Sequence, residues 1–203
     1  MGMRNIMLLI LTIFFINLTQ AQNKANVFLT FSEFKEGMPS KYCDFQLKQR
    51  TTGNVFMTGG ITNYQLKKIN PSSEIEKMTK IVWGVKVEDS LYINSYPYSK
   101  IAGYNKILEK GFYSFFIGEP ARFQEEQIKV GIIKEGESHK GVCCKTSYVI
   151  LTDGSVKWLN PELLKTLISD NKELIKELET KNFKPDDVYE LFDFLTRYNQ
   201  TKK

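Results

Sequence analysis

The chain has 203 residues, 42% apolar and 25% charged, with 28 Lys and Arg against 23 Asp and Glu for a net charge of +5. That balance supports a packed core and argues against disorder over most of the length. Basic residues alternate with acids, as in Lys35-Glu36, Glu76-Lys77 and Lys172-Glu173, and are dense only at Lys67-Lys68 and Lys202-Lys203. There is no basic stripe and no nucleic-acid-binding motif, so no nucleic-acid partner is expected.

In chain order, Arg4 is followed by an apolar run over 6–18, which Thr19-Gln20-Ala21 closes with small or polar residues. This is the layout of a secretory signal peptide cleaved after Ala21. The run is shorter than the roughly 20 residues that span a bilayer as a helix, and it carries Asn17. No cysteine follows the cleavage point and no later segment is long and apolar enough to span. A lipid anchor or a transmembrane anchor after cleavage is therefore not expected. The expected division is a signal peptide over 1–21 and a single globular α+β domain over 22–203. That domain is β-rich over 22–159 and helical over 160–199. The expected location is periplasmic, outer-envelope or secreted.

The stretch 27–37 reads as one short helical turn rather than a strand, because Thr30 and Glu33 have capping-box spacing and Gly37 closes a helix. Over 42–49, Cys43, Phe45 and Leu47 alternate with Tyr42, Asp44, Gln46 and Lys48, the period of a half-buried strand. Thr51-Thr52-Gly53 is a loop, Val55-Phe56-Met57 a short apolar run, and Gly59-Gly60 a turn into a second strand over 61–69. Pro71-Ser72-Ser73 is a loop. The runs 81–87 and 91–94, linked by Glu88-Asp89-Ser90, read as a hairpin. A further β-rich run covers 112–117, and 127–134 follows with Ile128, Val130 and Ile132 in strand phase. Asp153-Gly154 between 148–151 and 156–159 is the clearest hairpin signal, because glycine accepts the positive φ of a tight turn.

After Leu159 the period changes from two to that of a helix. Asn160 is an N-cap with Pro161 at the first helical position. Leu163, Leu164, Leu167 and Ile168 form an apolar stripe. Asp170 and Glu173 open a second helix with Leu174, Ile175 and Leu178. Pro185-Asp186-Asp187 opens a third, with Val188, Leu191, Phe192, Leu195 and Tyr198 on one face. The fold class is α+β: a mainly antiparallel β-sheet with a C-terminal set of two or three helices packed on it.

Phe31-x-x-Phe34-x-x-Gly37-x-Pro39, Val82-Trp83-Gly84-Val85 leading into Leu91-Tyr92-Ile93-Asn94, and Gly111-Phe112-Tyr113-Ser114-Phe115-Phe116 carry a resemblance. With the hairpin at Asp153-Gly154 and the ending Arg197-Tyr198-Asn199, the chain resembles an uncharacterised family of small exported Bacteroidota-type proteins. The resemblance spans 27–199. It implies a compartment and a common fold, and it transfers no active site.

The chemistry-bearing residues are sparse. His139 is the one histidine, so any Ser-His-Asp or Cys-His mechanism would have to use it. It lies in the polar stretch 135–141 and reads as a solvated loop residue. Three cysteines, Cys43, Cys143 and Cys144, allow one bridge from Cys43 to either of the others. Adjacent cysteines on a strand point to opposite faces, which disfavours a zinc site with His139. No phosphate loop and no nucleophile elbow occurs. No catalytic residue, metal ligand or cofactor is therefore assigned. Tyr92, Tyr96, Tyr98 and Tyr104 form the candidate ligand surface, because Tyr96-Pro97-Tyr98 breaks the strand alternation. The expected function is a non-catalytic binding or structural module of the envelope or extracellular space, with a protein or glycan partner. The alternatives are an envelope-polymer hydrolase using paired carboxylates, and an assembly subunit docking through the last helix.

Overall fold

The computed structural model of the chain describes residues 24–51, 63–141, 146–183 and 187–202. The strands among them are β1 (Lys24–Phe28), β2 (Lys41–Gln49), β3 (Tyr64–Asn70), β4 (Gly84–Val87), β5 (Ser90–Asn94), β6 (Tyr104–Glu109), β7 (Ser114–Gly118), β8 (Thr146–Ile150) and β9 (Val156–Trp158). The helices are α1 (Phe31–Glu36), α2 (Ile75–Lys80), α3 (Tyr96–Ser99), α4 (Gln124–Val130), α5 (Pro161–Leu167), α6 (Lys172–Thr180) and α7 (Val188–Thr201). All strand pairings among the described residues are antiparallel, in the order β3-β2-β1-β4-β5-β6-β7-β8-β9. The fold class is α+β, as expected.

An additional bridge, Tyr64 against Tyr104, joins β3 to β6 and closes β1 to β6 into a ring. Ala25 sits opposite Cys43 and Val27 opposite Val85, and all four are buried in the ring's interior with Phe45, Val82, Tyr104 and Met78. The register shifts in β6 between Ile107 and Glu109, where the strand passes from the ring to β7. Such irregularities bend a strand and re-aim it.

The β7–β8 pair has a core on each face, because its side chains alternate. Phe115 and Val149 are register partners and face the helices. Phe116 and Tyr148, the next pair, face a second core with Phe28, Ile93 and Tyr98. Asn160 caps α5 by accepting from Leu163 N at 2.8 Å, with Pro161 at the first turn. Asn171, rather than Asp170, caps α6 by accepting from Leu174 N at 3.1 Å. Asp170 instead accepts the Tyr198 hydroxyl at 2.7 Å. The apolar face of α7 lies on the sheet, with Phe192 stacked on Phe115 at 4.5 Å between ring centroids. That face is covered within the chain.

Three sequence expectations are corrected. The stretch 27–37 does contain the helical turn, capped by Thr30 and closed by Gly37 at φ 71°, but it is preceded by β1, which ends at Phe28. The stretch 127–134 is not a strand: α4 covers its start and Gly131 ends the helix at φ 82°. Glu125 and Glu126 favour a helix N-terminus, and the Gly131 N–H satisfies the Gln127 and Ile128 carbonyls. Gln127 is buried and spends its amide on the Ala121 and Lys140 carbonyls and the Lys140 N–H. The loop after Pro71 runs into α2. The run 55–57, the Gly59-Gly60 turn, and Pro185 with Asp186 lie outside the described residues.

Met78 near the end of α2 and Val82 just beyond it are buried, so carbonyls in this turn need donors. Asn94 Nδ2 supplies them, donating to Thr79 O at 3.0 Å and Val82 O at 2.8 Å. The Tyr104 hydroxyl donates to Met78 O. Asn94 Oδ1 accepts from Tyr96 N at 3.0 Å, so one side chain fixes both α2 and the turn leading to α3.

Candidate functional site

The four tyrosines do not share one surface. Tyr98 is 2% exposed, with its ring 5.6 Å from Phe116 and 5.0 Å from Tyr148, inside the second core. Tyr104 is 0% exposed inside the ring of strands. Burial raises the pKa of both hydroxyls. Tyr92 is half-buried and packs edge-on against Tyr64 at 5.0 Å. Tyr96 is also half-buried, with the Lys100 ammonium 5.4 Å from its ring centroid. The expectation of a four-ring face is thus corrected: two of the rings fill the two cores on either side of β5 and β6.

The surface beside Tyr96 is a groove of about 650 Å³ between the turn after α3 and the start of α4. Lys100, Phe123, Gln124, Glu125, Glu126 and Ile128 line it. Phe123 is the N-cap residue of α4, in extended conformation, and its side chain is 58% exposed. The Phe123 carbonyl accepts from Gln127 N at 3.0 Å at the start of α4, and the apolar ring stands at the rim. Glu126, one turn into α4, is buried and faces the Lys100 ammonium at 3.8 Å. Lys129 donates to Pro97 O at 2.9 Å and ties α4 to α3. Gln124 is held by the Glu137 carbonyl at 3.1 Å. The groove therefore offers a ring for stacking, a carboxylate–ammonium pair and an amide.

None of the groove residues was singled out from the sequence. The strand-like phase of Ile128, Val130 and Ile132 concealed α4. The signal that could have found it is Gly131 after Gln127–Val130 with two acids at the other end.

A second concavity of about 360 Å³ lies among Glu109, Phe112, Asn199 and Lys202. Its polar groups are occupied: Asn199 Nδ2 donates to Glu109 Oε1 at 2.8 Å and Tyr113 O at 2.9 Å, and its Oδ1 accepts from Tyr113 N at 2.9 Å. It is the clamp that holds α7 to the β6–β7 turn. His139 is exposed, and its ring donates to the Arg122 carbonyl. Cys43 is free and buried in the ring of strands, and burial raises its thiol pKa. Cys143 and Cys144 lie outside the described residues. Among the described residues, no three His, Cys, Asp or Glu side chains group as a metal site, and no helix is long and apolar enough to cross a membrane.

Fold and groove together define an α+β protein with a ring of antiparallel strands, a sheet extension backed by three helices, and a shallow aromatic-rimmed groove. Residues 26–202 match the model of a family of unknown function, DUF6563, and the chain belongs to that family. No curated protein and no solved structure matches it.

Proposed function

We propose that the protein is an exported, non-catalytic binding module of a bacterial envelope or the extracellular space, and that it binds glycan in the groove between α3 and α4. The observation that carries the binding half is Phe123, a large ring 58% exposed in the same groove as the buried Glu126 and its exposed partner Lys100. Aromatic rings stack on the apolar faces of sugars, while carboxylates, amides and ammonium groups hydrogen-bond to hydroxyls. An open groove suits a polymer segment better than an enclosed small molecule.

Export rests on the leading stretch: Arg4, the apolar run over 6–18 and the Thr19-Gln20-Ala21 end. Fractionation of expressing cells with intact-mass analysis tests it. The expected product begins at Gln22 and lies outside the cytoplasm. A product that keeps Met1 and stays in the cytoplasmic fraction overturns the export assignment.

A further inference from the structure

The seam where the ring of strands closes holds a side-chain cluster that the groove does not use. Asn63 immediately precedes Tyr64 of the closing bridge, and Gly103 precedes its partner Tyr104. Glu119 follows β7, is 2% exposed, and accepts through Oε1 from Asn63 Nδ2. The remaining oxygens of that pair, Glu119 Oε2 and Asn63 Oδ1, are buried and have no hydrogen-bond partner among the described residues. The amide is pinned in place. The Asn63 backbone carbonyl accepts from Arg50 N at 2.9 Å, and Gly103 packs so closely that a Cβ there would meet the Asn63 side-chain amide.

An ionised Glu119 would leave a buried anionic oxygen without a donor, beside an amide oxygen in the same condition. Each such group costs about 1–3 kcal/mol, more when charged. One proton removes both defects: Oε2–H donates to Asn63 Oδ1 while Asn63 Nδ2 donates to Oε1. We propose that Glu119 is a neutral carboxylic acid in the native fold and forms with Asn63 a doubly hydrogen-bonded acid–amide latch across the seam, released as pH rises.

Other groups face the latch from each packed element. Arg50, after β2, and Arg122, after β7, both favour the ionised form, but burial dominates and raises the Glu119 pKa. From α3, the Tyr98 hydroxyl accepts from Asn105 Nδ2 at 2.7 Å. From β8, the Tyr148 hydroxyl donates to the Glu119 backbone carbonyl at 2.9 Å. Both hydroxyls stay neutral, since burial raises their pKa values. The His139 ring reaches the Arg122 carbonyl rather than the latch.

The sign follows from linkage. An acid that binds its proton more tightly when folded loses stability as pH climbs above the ordinary Glu pKa of about 4.3, until the folded pKa is reached. Glu119→Gln cannot ionise, and it keeps both hydrogen bonds, with its amide donating to Asn63 Oδ1. Urea unfolding of the full chain and of E119Q across pH gives the test. The unfolding constant of the wild type relative to E119Q should rise up to about tenfold per pH unit within that window, with E119Q the more stable at the alkaline end. A wild type that gains stability through the carboxylate range, with E119Q destabilised throughout, overturns the proposal and makes Glu119 the ionised partner of Arg50 or Arg122. If E119Q does not fold, infrared spectra of wild type carrying carbon-13-labelled glutamate decide. A protonated carboxyl band persisting above the ordinary Glu pKa is expected, and its absence there overturns the latch.

Discussion

Phe116→Ala is expected to cost about 4 kcal/mol of folding stability, within the range of about 3–5 kcal/mol for deleting a buried aromatic ring. Phe116 is fully buried on β7, 5.3 Å from Tyr148 across the strand pair and 5.6 Å from Tyr98 on α3. It joins the sheet extension to the elements that carry the groove. Native domains are stable by only about 5–15 kcal/mol, so this one deletion consumes a large share. Urea denaturation read by tyrosine and tryptophan fluorescence gives the value from the midpoint shift. Phe116→Leu, which retains most of the volume, should lose markedly less. A loss below about 1 kcal/mol for the alanine variant would mean that the two aromatic layers are not packed as described.

Asn94→Ala is expected to cost about 3 kcal/mol, although it removes few apolar atoms. The side chain satisfies the Thr79 and Val82 carbonyls and the Tyr96 N–H, all at 3.0 Å or closer. Removing it leaves the buried Val82 carbonyl and two part-buried groups without this partner, at a cost of about 1–3 kcal/mol for each buried group, and water reaching the part-buried ones offsets part of the sum. Denaturation measures the loss. Hydrogen exchange adds a local readout, since the Tyr96 amide should lose its protection first. A variant that keeps wild-type stability and a protected Tyr96 amide contradicts the assignment of Asn94 as the tie between α2 and α3.

Much of the architecture is legible in local chemistry. Two β-rich runs joined by the polar Glu88-Asp89-Ser90, and Asp153-Gly154 between apolar runs, mark hairpins, and both form, with Glu88 at φ 53° and Gly154 at φ 85°. Thr30 and Asn160 act as N-caps where their spacing places them. The C-terminal stripe over 188–198 buries itself on the sheet, as an amphipathic helix must. What escapes the sequence is set by tertiary contacts. β6 is hidden because Asn105 is buried beside Tyr104, where a polar residue should face water, and its partner is the Tyr98 hydroxyl on another element. α4 imitates a strand because apolar residues at alternate positions and a helix-ending glycine share the same few residues. The groove follows the same logic: Phe123, Lys100 and Glu126 meet through packing of α3 on α4, and no spacing within one segment announces it.

Sedimentation of the purified protein with insoluble peptidoglycan sacculi tests the central reading most directly, comparing wild type with Phe123→Ala. Phe123 is mostly in solvent, so its removal should leave folding stability within about 0.5 kcal/mol of wild type. Wild type should sediment with the polymer, and Phe123→Ala should weaken the apparent affinity about tenfold, the effect of losing roughly 1.4 kcal/mol of contact. Wild type that stays in the supernatant, or a Phe123→Ala protein that binds as well as wild type, contradicts glycan binding in this groove.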